Sequence, residues 1–127
     1  MFKFLRRTKK ILVVEDDPAL QKVLVTKLQH KGHRAITVDN GREVLSAVAE
    51  EQPAGIILDL MLPAQDGMSI LRRLRSPEVD YRKPVVVLTN LRGTATLRSE
   101  AEGLDAQYFD KAGTPIDTVI DALVRAL

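Results

Sequence analysis

Residues 11–18 read ILVVEDDP, four aliphatic residues followed by three acidic residues and a proline. An uninterrupted aliphatic run is typical of a strand that is buried on both faces, as in a parallel sheet. Asp17 and Pro18 are a pair that favours a helix N-cap and first turn, so a helix is predicted directly after the strand. The stretch thus predicts a strand that leads at once into a helix, the repeating unit of α/β folds.

Short apolar runs and longer amphipathic stretches alternate along the rest of the chain. Strands are predicted over 11–15, 34–38, 55–59, 84–89 and 106–110. Helices are predicted to begin near Asp17, Asn40, Asp66, Thr94 and Thr114. Because parallel neighbours need a crossover connection, this strict alternation predicts a doubly wound α/β fold with a parallel sheet. The second strand is mixed in composition and is therefore placed at an edge.

The length of 127 residues and the apolar content of 45% are typical of one ordinary domain, predicted over 10–127. Residues 1–9 form a basic leader that is expected to be poorly ordered or to begin the first strand. Its apolar run is too short for a signal peptide, and no other run approaches the ~20 apolar residues of a membrane span. Cysteine is absent, which suits a reducing compartment, so the cytoplasm is the expected location. With a net charge of only +2, neither direct nucleic-acid binding nor membrane insertion is expected.

Several polar residues are given structural roles. His30 and His33 are placed at the surface, because no cysteine or third histidine accompanies them as a metal ligand. Thr114 and Asp117 are predicted to cap the last helix. The solvated face of the third helix is predicted to consist of Arg72, Arg73 and Arg75.

Other polar residues cluster where the predicted strands end. They are Glu15 and Asp16 after the first strand, Asp59 after the third, Thr89 after the fourth and Lys111 after the fifth. If the first and third strands are neighbours, Glu15, Asp16 and Asp59 share one pocket, where each close pair costs ~4 kcal/mol at an effective dielectric constant of about 20. A divalent cation would offset this cost, and an oxygen-only site without histidine or cysteine favours Mg²⁺ over Ca²⁺.

A magnesium ion beside a single carboxylate, a hydroxyl and an ammonium group suits phosphoryl transfer. Asp59 is the candidate nucleophile. The metal and Lys111 would neutralise the phosphoryl oxygens, and Thr89 would donate a hydrogen bond to them. The residues alone therefore predict a phosphorylated aspartate at this edge of the sheet.

Four stretches carry these residues: ILVVEDD (11–17), GIILDLMLP (55–63) with the following DG (66–67), PVVVLTN (84–90) and YFDK (108–111). Over residues 10–127 the chain resembles the response-regulator receiver domain of two-component signalling, in its stand-alone, single-domain type. The resemblance implies a flavodoxin-like (βα)5 fold with strand order 2-1-3-4-5. It also implies that Asp59 accepts a phosphoryl group from a phosphohistidine on a sensor histidine kinase or a histidine phosphotransfer protein. Such a domain is a signalling switch, not an enzyme beyond its own phosphorylation and dephosphorylation.

The same resemblance assigns roles around Asp59. The implied ligands of Mg²⁺ are Asp16, Asp59 and the backbone carbonyl of Met61 directly, and Glu15 through water. Thr89 and Lys111 would hold the phosphoryl oxygens. Phosphorylation would draw Thr89 inward and let Tyr108, which resembles the family's aromatic switch, follow it. The surface of the fourth helix, fifth strand and fifth helix would then signal to an unknown output protein.

Three features of the sequence depart from the family's usual pattern. Ala112 replaces the proline that usually follows the lysine, so a trans peptide bond and a shifted loop are predicted. Asn90 is larger than the residue that usually follows the threonine and can crowd the phosphoryl pocket. Residues 106–107, Ala-Gln, replace an acidic pair common in receivers that dimerise through the fourth helix, fifth strand and fifth helix, so a monomer is expected rather than that dimer.

Functions from other classes are weighed against this one. A phosphatase of the haloacid dehalogenase type needs a second aspartate two residues after the first, where this chain has Met61. A flavodoxin-like FMN binder needs a phosphate-binding loop after the first strand, where EDDP (15–18) would repel phosphate. A receiver-like adaptor that binds partners without phosphorylation stays open. The altered residues Asn90 and Ala112 favour it. The intact Asp59, Thr89 and Lys111 oppose it.

Overall fold

The computed structural model describes residues 8–90 and 95–127, so residues 1–7 of the predicted leader and the predicted helix start at Thr94 lie outside them. Strands and helices alternate as predicted. The strands are β1 (Lys10–Val14), β2 (Arg34–Val38), β3 (Gly55–Leu58), β4 (Val85–Thr89) and β5 (Ala106–Asp110). The helices are α1 (Pro18–His30), α2 (Val44–Glu51, preceded by a 3-10 turn at Gly41–Glu43), α3 (Gly67–Arg75), α4 (Ala95–Gly103) and α5 (Ile116–Ala126).

The five strands form one parallel sheet in the order β2-β1-β3-β4-β5. The predicted doubly wound, flavodoxin-like fold is therefore confirmed, and β2 lies at an edge as predicted. Alternate residues of β1 enter different core layers: Leu12 and Val14 pack on the side of α2, α3 and α4, and Ile11 and Val13 pack on the side of α1 and α5. Burial on both faces explains why residues 11–14 of β1 are all aliphatic.

Three of the predicted helix starts carry a side-chain cap. Asp17 Oδ1 accepts a hydrogen bond from the backbone N–H of Ala19 at 3.0 Å, and Asn40 and Asp66 each accept one from the residue two positions later. These bonds satisfy backbone donors that have no partner within the helix. Each cap marks the residue at which the connection from strand to helix ends. It therefore sets how many residues lie between the strand end and the helix.

The prediction that Thr114 and Asp117 cap α5 is wrong. Pro115 occupies the N-cap position and no side chain caps the helix. The Asp117 carboxylate instead accepts a hydrogen bond from Lys27 Nζ of α1 at 2.6 Å, which lowers the pKa of Asp117. The Asp117 carboxylate is therefore engaged with a lysine of the neighbouring helix rather than with the first turn of its own helix.

The prediction of a solvated arginine face on α3 is wrong for Arg75. Its side chain lies inside the protein, with 7% of the residue exposed, whereas Arg73 is exposed as predicted. The guanidinium donates to four backbone carbonyls, those of Tyr81, Lys83, Leu104 and Asp105, at 2.6–2.9 Å. The planar guanidinium has several N–H donors, so it can form hydrogen bonds with carbonyl groups of separate segments at once. Arg75 thus joins the end of α3 to the segment before β4 and to the turn between α4 and β5.

The prediction that His33 lies at the surface is also wrong. The chain reverses at Gly32, whose φ is +85°, and this reversal brings His33 under the start of β1. Its Nδ1 accepts a hydrogen bond from the backbone N–H of Lys9 at 3.2 Å, and the residue is buried. His30 is exposed, as predicted. Among the described residues, no helix has the length and apolar content needed to cross a bilayer.

Candidate functional site

The three predicted carboxylates meet at the carboxyl edge of the sheet, because β1 and β3 are neighbours. Glu15 and Asp16 follow β1, and Asp59 follows β3, with its backbone N–H donating to the Val14 carbonyl at 3.0 Å. One oxygen from each of the three side chains lies within 4.8 Å of the others. Glu15 and Asp59 are buried, whereas Asp16 is exposed at the mouth of the cluster.

Lys111, which follows the edge strand β5, also reaches this cluster. Its Nζ donates to Asp59 Oδ2 at 2.9 Å and lies 2.8 Å from Glu15 Oε1, with 15% of the side chain exposed. Its backbone N–H donates to the Thr89 carbonyl at 3.0 Å, so β4 supports the residue that β5 presents. The lysine therefore bridges both buried carboxylates.

Lys111 contacts two of the carboxylates and Asp16 belongs to the same cluster, so with all three carboxylates ionised the formal charge is −2. Burial raises the pKa of Glu15, and the charge of Asp59 adds to this effect, while hydrogen bonds from Lys111 and Asp17 oppose it. Burial also disfavours the charge of Lys111, but its hydrogen bonds to Glu15 and Asp59, together with the negative charges of those two groups, outweigh burial and raise the pKa of Lys111. The lysine is therefore charged at neutral pH, and a negative excess remains in the pocket.

The charge and donor set of this cluster fit a hard divalent cation. The three clustered side chains all offer carboxylate oxygens, and a divalent ion would match a formal charge of −2. Met61 stands next to the cluster, where its backbone N–H donates to Asp59 Oδ1 at 3.0 Å and 53% of the residue is exposed. The role of the Met61 carbonyl as a ligand stays a prediction.

The remaining predicted site residues lie on β4 and β5. Thr89 ends β4 and is fully buried, while Asn90 after it is exposed. Tyr108 is buried with 6% of the residue exposed, and the Arg98 guanidinium of α4 lies 4.9 Å from its ring centre. Arg98 also donates to the Tyr108 carbonyl at 3.3 Å. The predicted switch residue is thus packed in the core and held from outside by a cation–π contact.

Sequence reasoning missed two residues that support the acidic cluster. Gln21, in the first turns of α1, donates from Nε2 to the Glu15 carbonyl at 3.0 Å. Gly67 approaches the backbone after β3 so closely that a Cβ atom there would lie 2.4 Å from Leu60 Cα and 2.9 Å from the Asp59 carbonyl oxygen. The position of Gln21, four residues after the predicted N-cap, was a signal that its side chain could turn back to the strand end.

Replacing Gly67 with alanine should destabilise the domain by about 2 kcal/mol, because the added methyl group meets backbone atoms that cannot move aside locally. Urea unfolding of both proteins would measure the difference. Gly103→Ala is the matched control, since a Cβ at Gly103 meets nothing within 4 Å and alanine favours a helix. Equal losses in the two variants would contradict the close approach at Gly67.

Comparisons with known proteins identify the family of this chain. Residues 11–115 match the sequence model of the response regulator receiver domain. The response regulator MprA of Mycolicibacterium vanbaalenii is 36% identical over 106 residues, which cover 84% of this chain and 44% of that protein. The DNA-binding response regulator MtrA of Mycolicibacterium smegmatis is 36% identical over 117 residues, 92% of this chain and 49% of that protein. The chain thus spans about half the length of these curated relatives.

Solved structures give the same result. The BeF3-activated N-terminal receiver domain of Klebsiella pneumoniae RstA superposes with a TM-score of 0.80 at 30% identity, covering 92% of this chain and 97% of that chain. Because the family's sequence model matches most of the chain and the strand order is the one that the resemblance implied, the protein is a member of the response regulator receiver domain family.

Proposed function

We propose that this chain is a phosphorylatable receiver domain in which Asp59 accepts a phosphoryl group from a phosphohistidine. The donor is a sensor histidine kinase or a histidine phosphotransfer protein. The observation that carries the proposal is the Lys111 ammonium group, which bridges Asp59 and Glu15 inside a cluster of three carboxylates. A lysine placed in this way supports a nucleophilic carboxylate and a transferred phosphoryl group at one point of the sheet.

The chain's own residues would carry out the transfer. An Asp59 oxygen forms a bond to phosphorus as the bond from phosphorus to the histidine nitrogen breaks. Lys111 keeps its ammonium group beside the transferred oxygens, and Thr89 donates its hydroxyl hydrogen to one of them. The burial of Asp59 keeps water away from the carboxylate and strengthens its interaction with Lys111.

Magnesium would be held by Asp16, Asp59 and the Met61 carbonyl directly, and by Glu15 through a water molecule. When bound, the ion neutralises charge on the phosphoryl oxygens. The excess of two negative charges in the pocket supports a requirement for a divalent cation.

The output would pass through the surface made by α4, β5 and α5. Thr89 moves inward on phosphorylation and Tyr108 follows it, which repacks this surface. A groove of about 620 Å³ along it, lined by residues such as Ala106, Gln107 and Phe109, supports the docking of a partner protein there. We propose that this receiver is cytoplasmic. We also propose that it is a monomer when free, because residues 106–107 lack the acidic pair common in receivers that dimerise through this surface.

The first test is incubation with acetyl phosphate followed by intact-mass spectrometry, with Mg²⁺ and after its removal with EDTA. A gain of one phosphoryl group is expected with Mg²⁺ and none after EDTA, because the acidic pocket would otherwise repel the donor. Absence of any gain with Mg²⁺ would contradict the proposal and favour an adaptor that binds partners without phosphorylation. A gain that is equal without the metal would contradict the assigned ligands.

A further inference from the structure

The turn after Lys111 is held by the residue before it. Every peptide bond among the described residues is trans, including the bond between Lys111 and Ala112. Ala112 has a backbone N–H, which a proline would lack, and this group donates to Asp110 Oδ1 at 2.9 Å. The N–H of Gly113 donates to the Asp110 carbonyl at 3.3 Å. Asp110 therefore binds the two residues that follow the lysine, one through its side chain and one through its backbone.

Packing contributes little to this turn. Ala112 and Gly113 are exposed, and a Cβ atom built on Gly113 would meet nothing within 4 Å. An exposed turn depends largely on its local hydrogen bonds, and an aspartate that accepts from the N–H two residues later is a common way to hold one. The Asp110 side chain is thus a main restraint on the conformation after Lys111.

The position of the Lys111 backbone decides whether its side chain reaches both carboxylates. The side chain is long and flexible, and its Nζ must stand within 3 Å of Glu15 Oε1 and Asp59 Oδ2 at once. On the side before the lysine, its N–H is fixed by the Thr89 carbonyl. On the side after it, the fixed point is the hydrogen bond between Ala112 and Asp110.

We infer that Asp110 is a positioning residue for Lys111. Its hydrogen bond to the Ala112 N–H restrains the backbone after the lysine, as a proline at that position would otherwise do. The inference rests on the proposed function, because the position of Lys111 matters for phosphoryl transfer only if Asp59 accepts the group. The acceptor oxygen of Asp110 is what the role requires, and its negative charge is not.

The first arm of the test compares Asp110→Ala with Asp110→Asn, which keeps the acceptor oxygen and removes the charge. The rate of phosphorylation is measured over a range of acetyl phosphate concentrations at saturating Mg²⁺. Asp110→Ala should lower the maximal rate about tenfold with little change in the concentration for half-maximal rate, since a small displacement of a reacting group costs far more in rate than in binding. Asp110→Asn should keep the parent rate, and Asp110→Ser, a weaker acceptor, should fall between them.

The second arm does not depend on phosphorylation. Carbon relaxation of the Lys111 ε-methylene group should report a rigid side chain in the parent and in Asp110→Asn, and a mobile one in Asp110→Ala. If the parent takes no phosphoryl group, the proposed function fails and this arm still decides the positioning role. A rigid lysine with the parent rate in Asp110→Ala would overturn the inference, as would an Asp110→Asn variant as slow as Asp110→Ala. Asp110→Ser serves both arms if Asp110→Ala does not fold.

Discussion

Replacing Asp59 with asparagine should abolish the Mg²⁺-dependent gain of a phosphoryl group from acetyl phosphate, from one group per chain to none. An amide oxygen is a poor nucleophile, and asparagine cannot form an acyl phosphate at this position. The geometry around it should persist, because an amide oxygen can still accept from the Met61 N–H or from Lys111 Nζ. The loss should therefore reflect chemistry rather than unfolding.

Stability provides an independent check on this variant. The pocket holds two negative charges in excess without a metal ion, so removal of one should leave the free energy of unfolding unchanged or raise it. Asp17→Asn is the matched control. It makes the same change beside the cluster, at a helix cap where asparagine serves as well as aspartate, and should keep full phosphorylation. A phosphoryl group gained by Asp59→Asn would show that another residue is the acceptor.

Replacing Arg75 with methionine should lower the free energy of unfolding by about 4 kcal/mol, because four backbone carbonyls lose their donor and each buried one left unpaired costs about 1–3 kcal/mol. Methionine keeps most of the apolar stem, so the effect isolates the guanidinium. A typical domain has only about 5–15 kcal/mol of stability, so this single change should remove a large part of it. Urea unfolding would measure this loss, and the dependence of the free energy of unfolding on urea concentration should have the same slope in both proteins.

Two variants sharpen this prediction. Arg73→Met changes the same residue type on the exposed part of the same helix and should cost less than about 0.5 kcal/mol. Arg75→Lys keeps the charge but not the planar set of donors, so it should fall between the parent and Arg75→Met. If Arg75→Met lost no more than Arg73→Met, water would be satisfying these carbonyls as well as the guanidinium does.

The fold could be predicted from sequence because its signals are local. The aliphatic run of β1 indicates burial on both faces. Asp17, Asn40 and Asp66 each mark a helix start, because each accepts a hydrogen bond from the N–H two residues later. Because all strands of a parallel sheet end at the same edge, the strand order alone predicts that Asp59 lies there. A local pattern in the chain was sufficient for each of these predictions.

The errors concern side chains whose partners are distant in sequence. Arg75 looks like its neighbour Arg73, and only the carbonyls gathered around it, up to 30 residues away, make it a core residue. Asp117 was assigned to its own helix because Lys27, 90 residues earlier, gave no sign of its proximity. Gly67 is a different case, because its contact is with the nearby Leu60: the close approach depends on the path of the backbone after β3, which no periodicity reports.

The bonds of Arg75 have a mechanical consequence for α4. Two of the four carbonyls that it binds belong to Leu104 and Asp105, directly after the last residue of that helix. The C-terminal end of α4 is thereby tied to α3. If α4 moves relative to α3, we therefore expect it to rotate about this tied end rather than to slide along its own axis.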